Sequence, residues 1–138
     1  PEVRPEEAEP TFEAIPQAID EGSVVSCHDL SDGGLGVAAS EMVLSGDLGM
    51  KIDLGKVKTD LERDDFILFS ESNSRFLVEV PKGLEKKFER QANECIVSKV
   101  GEVTEEKTLS ITGTEGEDII DSDIESLRDS WRGGLDHE

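Results

Sequence analysis

No apolar stretch in this chain is longer than a strand. The longest mainly apolar segments, residues 66–69 and 76–80, are strand-sized, and no run approaches the length that a membrane-spanning helix needs. The core must therefore be assembled from several short elements, and two periodicities say which. Ile15, Ala18 and Ile19 share a helical face, as do Leu35, Ala38, Ala39 and Met42, and then Leu84, Phe88 and Ala92. Residues 50–54 instead alternate Met, Ile and Leu with Lys and Asp, the pattern of a half-buried strand. Further strands are expected at 24–27, 75–80, 97–103 and 108–111. A short helix running into a strand is expected over 60–69, and a last helix over 124–131 capped by Asp121, Ser122 or Asp123. This order lacks the strict alternation of a parallel wound sheet, so the fold class is α+β, a mixed sheet of about four main strands packed with helices. Residues 1–11, rich in proline and acid, read as a linker or lead-in, and 12–138 as the domain, with Thr11 as the first helix cap.

At 138 residues the chain has the length of one ordinary domain. Lys and Arg number 14 against 33 Asp and Glu, a net charge of −19. Such a surface repels phosphate backbones and anionic lipid, so no nucleic acid and no membrane is expected as partner. The acidity fits either a solvated surface or a salt-rich cytosol, where screening removes self-repulsion. Cys27 and Cys95 lie far apart with no histidine at ligand spacing. They read as reduced core thiols of a cytoplasmic protein rather than a disulfide or zinc site. The chain begins at Pro1 rather than Met, as a piece of a longer polypeptide would.

Two polar clusters can carry chemistry. His28, Asp29, Leu30, Ser31, Asp32, Gly33 and Gly34 follow a strand and open the helix at Leu35. Glycines at such a junction let a backbone approach a ligand, and free N–H groups at a helix start hold anions. Asp29 and Asp32 suit Mg²⁺. The plainer alternative is that Ser31 or Asp32 caps the helix around a tight turn. The second cluster, Ser70, Glu71, Ser72, Asn73, Ser74 and Arg75, precedes a strand. Here Ser70, Ser72, Ser74 and Arg75 can offer donors to phosphate, with Glu71 on a metal or a hydroxyl; alternatively Glu71 and Arg75 pair with each other. His28 reads as a hydrogen-bonded structural residue, and Trp131 as a core or inter-domain anchor.

The run from His28 to Leu35, the run from Leu68 to Phe76, the Val100-Gly101-Glu102-Val103 segment and the terminal stretch from Leu127 to Gly133 together resemble one family closely. It is the large, PurL-type subunit of phosphoribosylformylglycinamidine synthase, in the AIR synthase-related superfamily, and the match is to a C-terminal domain. The resemblance implies a ligase fragment from purine biosynthesis, using ATP with Mg²⁺. In that family the residues that bind Mg-ATP lie in other domains, so it implies no catalytic residue here and no turnover by the isolated chain. It implies three partners: the rest of the large subunit, a glutaminase subunit and a small third subunit. The end of the chain soon after the tryptophan helix favours the short form of the subunit, without a fused glutaminase. For the site it implies a nucleotide or phosphate pocket lined by Asp29, Ser31, Asp32, Gly33, Gly34, Ser70, Ser72 and Arg75, with Asp29, Asp32 and Glu71 as metal ligands. A non-catalytic nucleotide-binding or structural domain of a related ATP-dependent enzyme is the alternative.

Overall fold

A computed structural model of the chain describes residues 4–133. Helix α1 (Pro5–Asp20) leads into strand β1 (Ser26–Asp29), then α2 (Gly34–Gly46), β2 (Gly49–Asp53) and a 3-10 turn (Leu54–Lys56). Helix α3 (Asp64–Phe69), β3 (Phe76–Glu79), α4 (Glu85–Gln91), β4 (Gly101–Thr104), β5 (Thr108–Thr112), β6 (Asp118–Asp123) and α5 (Ile124–Gly133) follow. Four strands form one mixed sheet in the order β4-β2-β5-β6, with β2 and β5 parallel and both outer pairings antiparallel. Strands β1 and β3 form a separate antiparallel pair. This is the expected α+β class.

The main core lies between α2, α3 and α5 and the four-stranded sheet. It joins Leu35, Ala38, Ala39 and Val43 of α2 to Ile52, Leu109 and Ile111 of the sheet, Ile67 and Leu68 of α3 and Ile124 of α5. The expected face of α2 is the buried one, with Met42 packed at its margin. A smaller cluster of Ala14, Ala18, Val24, Phe88 and Ala92 binds α1 to α4. Alanines on both helices let the two axes approach without leaving voids.

Several boundaries differ from the sequence reading. Residues 5–11 are not a lead-in but the first turns of α1. Pro5 stands at the first helical position, where a missing N–H costs nothing, and Glu6 and Glu7 favour the positive end of the helix. Thr11 is therefore not a cap; its hydroxyl donates to the Glu7 carbonyl one turn earlier (2.9 Å). Strand β1 starts at Ser26 rather than residue 24, because Val24 turns inward to the α1–α4 cluster. The strand expected at the end of segment 60–69 does not form, since α3 runs to Phe69, and β4 starts only at Gly101. Strand β6 was not expected at all: its acid-rich edge sequence lacks alternation. Asp123 does cap α5, accepting the Ser126 N–H at 2.9 Å. The cysteines are free; Cys27 is exposed and so is not a core thiol, while Cys95 is half-buried and packs against the α1–α4 cluster. Trp131 is 62% exposed, which excludes the core reading of it. His137 lies outside the described residues.

Candidate functional site

The β1–β3 pairing brings the two polar clusters together. Asp29 sits opposite Phe76, and just beyond it the Leu30 N–H donates to the Arg75 carbonyl (3.0 Å). The two loops thus leave the same end of the pair. A cavity of about 670 Å³ opens between them, lined by Phe12, Cys27, Asp29, Ser31, Asn73, Ser74, Arg75 and Phe76. That volume lies in the range of small-ligand pockets. Phe12 comes from α1, its ring edge-on to Phe76 with centroids 5.9 Å apart.

Arg75 is the cation of this cavity. It is half-buried, and burial pulls its guanidinium pKa down. Its one side-chain hydrogen bond is to the Ser70 carbonyl, at 3.3 Å. Among the described residues no carboxylate comes within ion-pair distance of it, so the expected Glu71–Arg75 pair does not form. A guanidinium carries five N–H donors, so most remain available to an anion entering the cavity.

Glu71 is instead turned to the other loop. Its carboxylate accepts the Gly33 N–H at 2.9 Å, across 38 residues of sequence. A negative charge at the start of α2 suits the helix dipole. Neither Ser31 nor Asp32 caps α2; the cap residue is Gly33, left-handed at φ 70°, with no side-chain cap bond from its own residue. The donor expected to hold an external anion at this helix start is thus taken by the protein's own carboxylate. Gly34, at φ 67°, brings α2 against the end of α3: a Cβ there would stand 2.6 Å from the Leu68 carbonyl oxygen.

Of the residues singled out in the sequence, Asp29, Ser31 and Arg75 line the cavity. Gly33 and Glu71 join the loops, Gly34 seats α2 on α3, and Ser70 and Ser72 share a hydroxyl–hydroxyl bond of 2.9 Å. Asp32 is exposed and does not line this cavity. Among the described residues no three His, Cys, Asp or Glu side chains come together, and of the three carboxylates expected to hold Mg²⁺ only Asp29 lines the cavity, Glu71 being turned to Gly33. Asn73 and Ser74, members of the second cluster, line the cavity too, and sequence reasoning missed Phe12, Cys27 and Phe76. Ser74 takes a left-handed backbone, φ 61°.

Electrostatics of the rim follow from local bonds. The Ser31 hydroxyl holds the Asp29 carboxyl below its ordinary range. Burial first, then the charge of Asp29, pushes the Cys27 thiol up. His28 is hydrogen-bonded as expected, Nδ1 to the Asp29 carbonyl (2.6 Å) and Nε2 to Glu41 Oε2 (2.7 Å). The Asp29 carbonyl first, and Glu41 after it, raises its pKa. A base whose folded pKa is raised contributes stability that is complete below the unfolded value of about 6.5 and is lost as pH rises through the folded value. The urea midpoint is therefore expected to fall from pH 6 to pH 8.5. His28→Gln should flatten that fall, and a wild-type midpoint constant over this window would refute the linkage.

Residues 1–114 match the family described as AIR synthase related protein, C-terminal domain. The chain is 39% identical over 112 residues to the phosphoribosylformylglycinamidine synthase subunit PurL of Lactobacillus acidophilus, covering 81% of this chain and 14% of that protein. It is 39% identical over 140 residues to the same subunit of Thermoanaerobacter pseudethanolicus, covering 100% of this chain and 18% of the relative. The chain thus spans less than a fifth of the length of these relatives. Among solved structures, Thermotoga maritima PurL complexed with FGAR superposes with a TM-score of 0.78 at 26% identity, over 91% of this chain and 21% of that one. Its ATP complex gives 0.74, over 86% of this chain and 21% of that one. Escherichia coli HypE shares the fold alone, with a TM-score of 0.63 at 17% identity, over 80% of this chain and 38% of that one.

Proposed function

Since the chain belongs to the AIR synthase-related family of C-terminal domains, we propose that it is the C-terminal domain of a formylglycinamidine ribonucleotide synthase, and that its cavity receives the phosphate of a nucleotide or nucleotide-like substrate. The parent enzyme would be the ligase that amidates formylglycinamide ribonucleotide with ATP in purine biosynthesis. The observation that carries the binding role is Arg75: a half-buried guanidinium with one carbonyl partner among the described residues, facing a cavity whose rim adds the Ser74 hydroxyl, while the Ser31 hydroxyl is spent on the Asp29 carboxylate. Relatives solved with ATP, ADP and FGAR support a phosphate-bearing ligand.

On this reading the 138 residues do not turn over by themselves. The groups that position ATP and ammonia would lie in other domains of the parent, and positioning supplies most of the catalysis in such reactions. Magnesium would be held mainly by other domains of the parent. The same reading gives the domain three partners: the remainder of the large subunit, a glutaminase and a small third subunit. A PurLQS assembly from Thermotoga maritima is consistent with it. No helix among the described residues is long and apolar enough to cross a membrane, and a cytoplasmic enzyme is part of the proposal.

The test is Arg75→Ala, with ADP and inorganic phosphate titrated against the chain and followed by amide chemical shifts. Loss of a charge-assisted contact should weaken binding by about 1.5–3 kcal/mol while the fold survives. If the wild-type chain binds neither ligand, or if the variant unfolds with no separate binding defect, the anion role of Arg75 is wrong.

A further inference from the structure

One peptide unit beside the cavity is held from both sides. The Asp29 carbonyl accepts from His28 Nδ1, and the N–H of the same peptide, on Leu30, donates to the Arg75 carbonyl. Behind His28 stands Glu41, on the exposed side of α2, its carboxylate 2.7 Å from Nε2. The chain of contacts therefore runs Glu41, His28, the 29–30 peptide, Arg75. A backbone carbonyl can only accept, so Nδ1 is the donor in that bond, and the ring is held between the carbonyl on one side and the Glu41 carboxyl group on the other. The Asp29 carboxylate, 3.9 Å from Nδ1, is the other charge beside it. Neither Glu41 nor His28 lines the cavity.

We propose that Glu41 is a positioning residue of the cavity, acting through His28 to fix the 29–30 peptide and with it the spacing between Asp29 and Ser31 on one loop and Arg75 on the other. Its link to phosphate affinity rests on the anion reading above; its link to the peptide does not. Without Glu41 the imidazole loses the partner that fixes its ring plane, and the Asp29 carbonyl is free to rotate away. The Leu30 bond to Arg75 then opens more often. Glu41 is half-exposed and does not line the cavity, so its removal takes no group from the cavity wall.

The experiment is amide hydrogen exchange on the 138-residue chain. Glu41→Ala and His28→Ala should each accelerate exchange of the Leu30 amide at least tenfold, with the core amide of Leu109 as a reference that stays slow. The double variant should be no faster than either single one, since both break the same chain of contacts. Glu41→Gln, which can still bond to Nε2, should restore wild-type exchange. In parallel, inorganic phosphate affinity should drop at least tenfold in Glu41→Ala and return in Glu41→Gln. Unchanged Leu30 exchange in Glu41→Ala, or additive effects in the double variant, overturns the proposal. A wild-type chain that ignores phosphate defeats the anion reading while the exchange data still decide the positioning role.

Discussion

Replacing Gly34 by alanine is expected to remove on the order of 2–5 kcal/mol of stability, much of what a domain of this size possesses. Two costs combine. An L-residue at φ 67° is in the left-handed region, which costs about 1–2 kcal/mol. The added methyl would also stand 2.6 Å from the Leu68 carbonyl oxygen and 2.8 Å from the Phe69 carbonyl carbon. These are backbone atoms and cannot rotate aside, so α2 and α3 must separate, and overpacking of this kind costs about 1–3 kcal/mol more. Gly22 provides the control. It has nearly the same φ, 72°, but nothing within 4 Å of the position of a Cβ. Gly22→Ala should therefore show the backbone term alone. Urea unfolding of both variants separates the terms, and equal losses at the two positions would contradict the close approach of α2 to α3. Because α3 runs into the loop that carries Glu71 and Arg75, Gly34→Ala should also disturb the cavity before the protein unfolds.

Ile111→Ala is the second large effect, at about 2–5 kcal/mol. Ile111 is fully buried at the middle of β5, between Ile52 of β2 and Ile120 of β6. Its side chain belongs to the cluster that joins α2 to the sheet. Strand β2 pairs with β5 in regular parallel register, while the β5–β6 register shifts between Ile111 and Thr112, so the site relaxes only in part and a cavity remains. Ile96, 67% exposed, is the matching surface position, where truncation should change stability by less than about 0.5 kcal/mol. A loss at Ile111 as small as that at Ile96 would place the core elsewhere.

The elements legible from sequence were those with a clean local pattern. Helix α2 was readable from Leu35, Ala38, Ala39 and Met42 because helical geometry puts them on one face whatever they pack against. Strands β2 and β5 were readable from alternation, since each has one face on the core. Strand β6 was not, because its apolar residues, Ile119 and Ile120, are adjacent rather than alternate and lie among acids at a sheet edge. The start of α1 was hidden for a different reason. Proline reads as a breaker, yet at the first turn of a helix it is tolerated, and only the packing of Ala14 and Ala18 against α4 shows the helix to be worth forming.

The amino-acid sequence by itself determined the α+β class, the family, the two polar clusters and the presence of glycine at the α2 junction. These depend on residue type and on spacing within one turn or one strand. The tertiary structure decided which polar groups satisfy one another. Glu71 was free, as a matter of sequence, to pair with Arg75 four residues away, yet it accepts from Gly33. The β1–β3 register places the loops side by side, and a helix N-terminus offers the carboxylate a donor in the right direction. Among the described residues Arg75 is thereby left half-buried without an ion-pair partner, the feature on which the proposed anion site rests. Partner choice among charges is settled by distance in three dimensions, and distances across 38 residues exist only once the chain has folded.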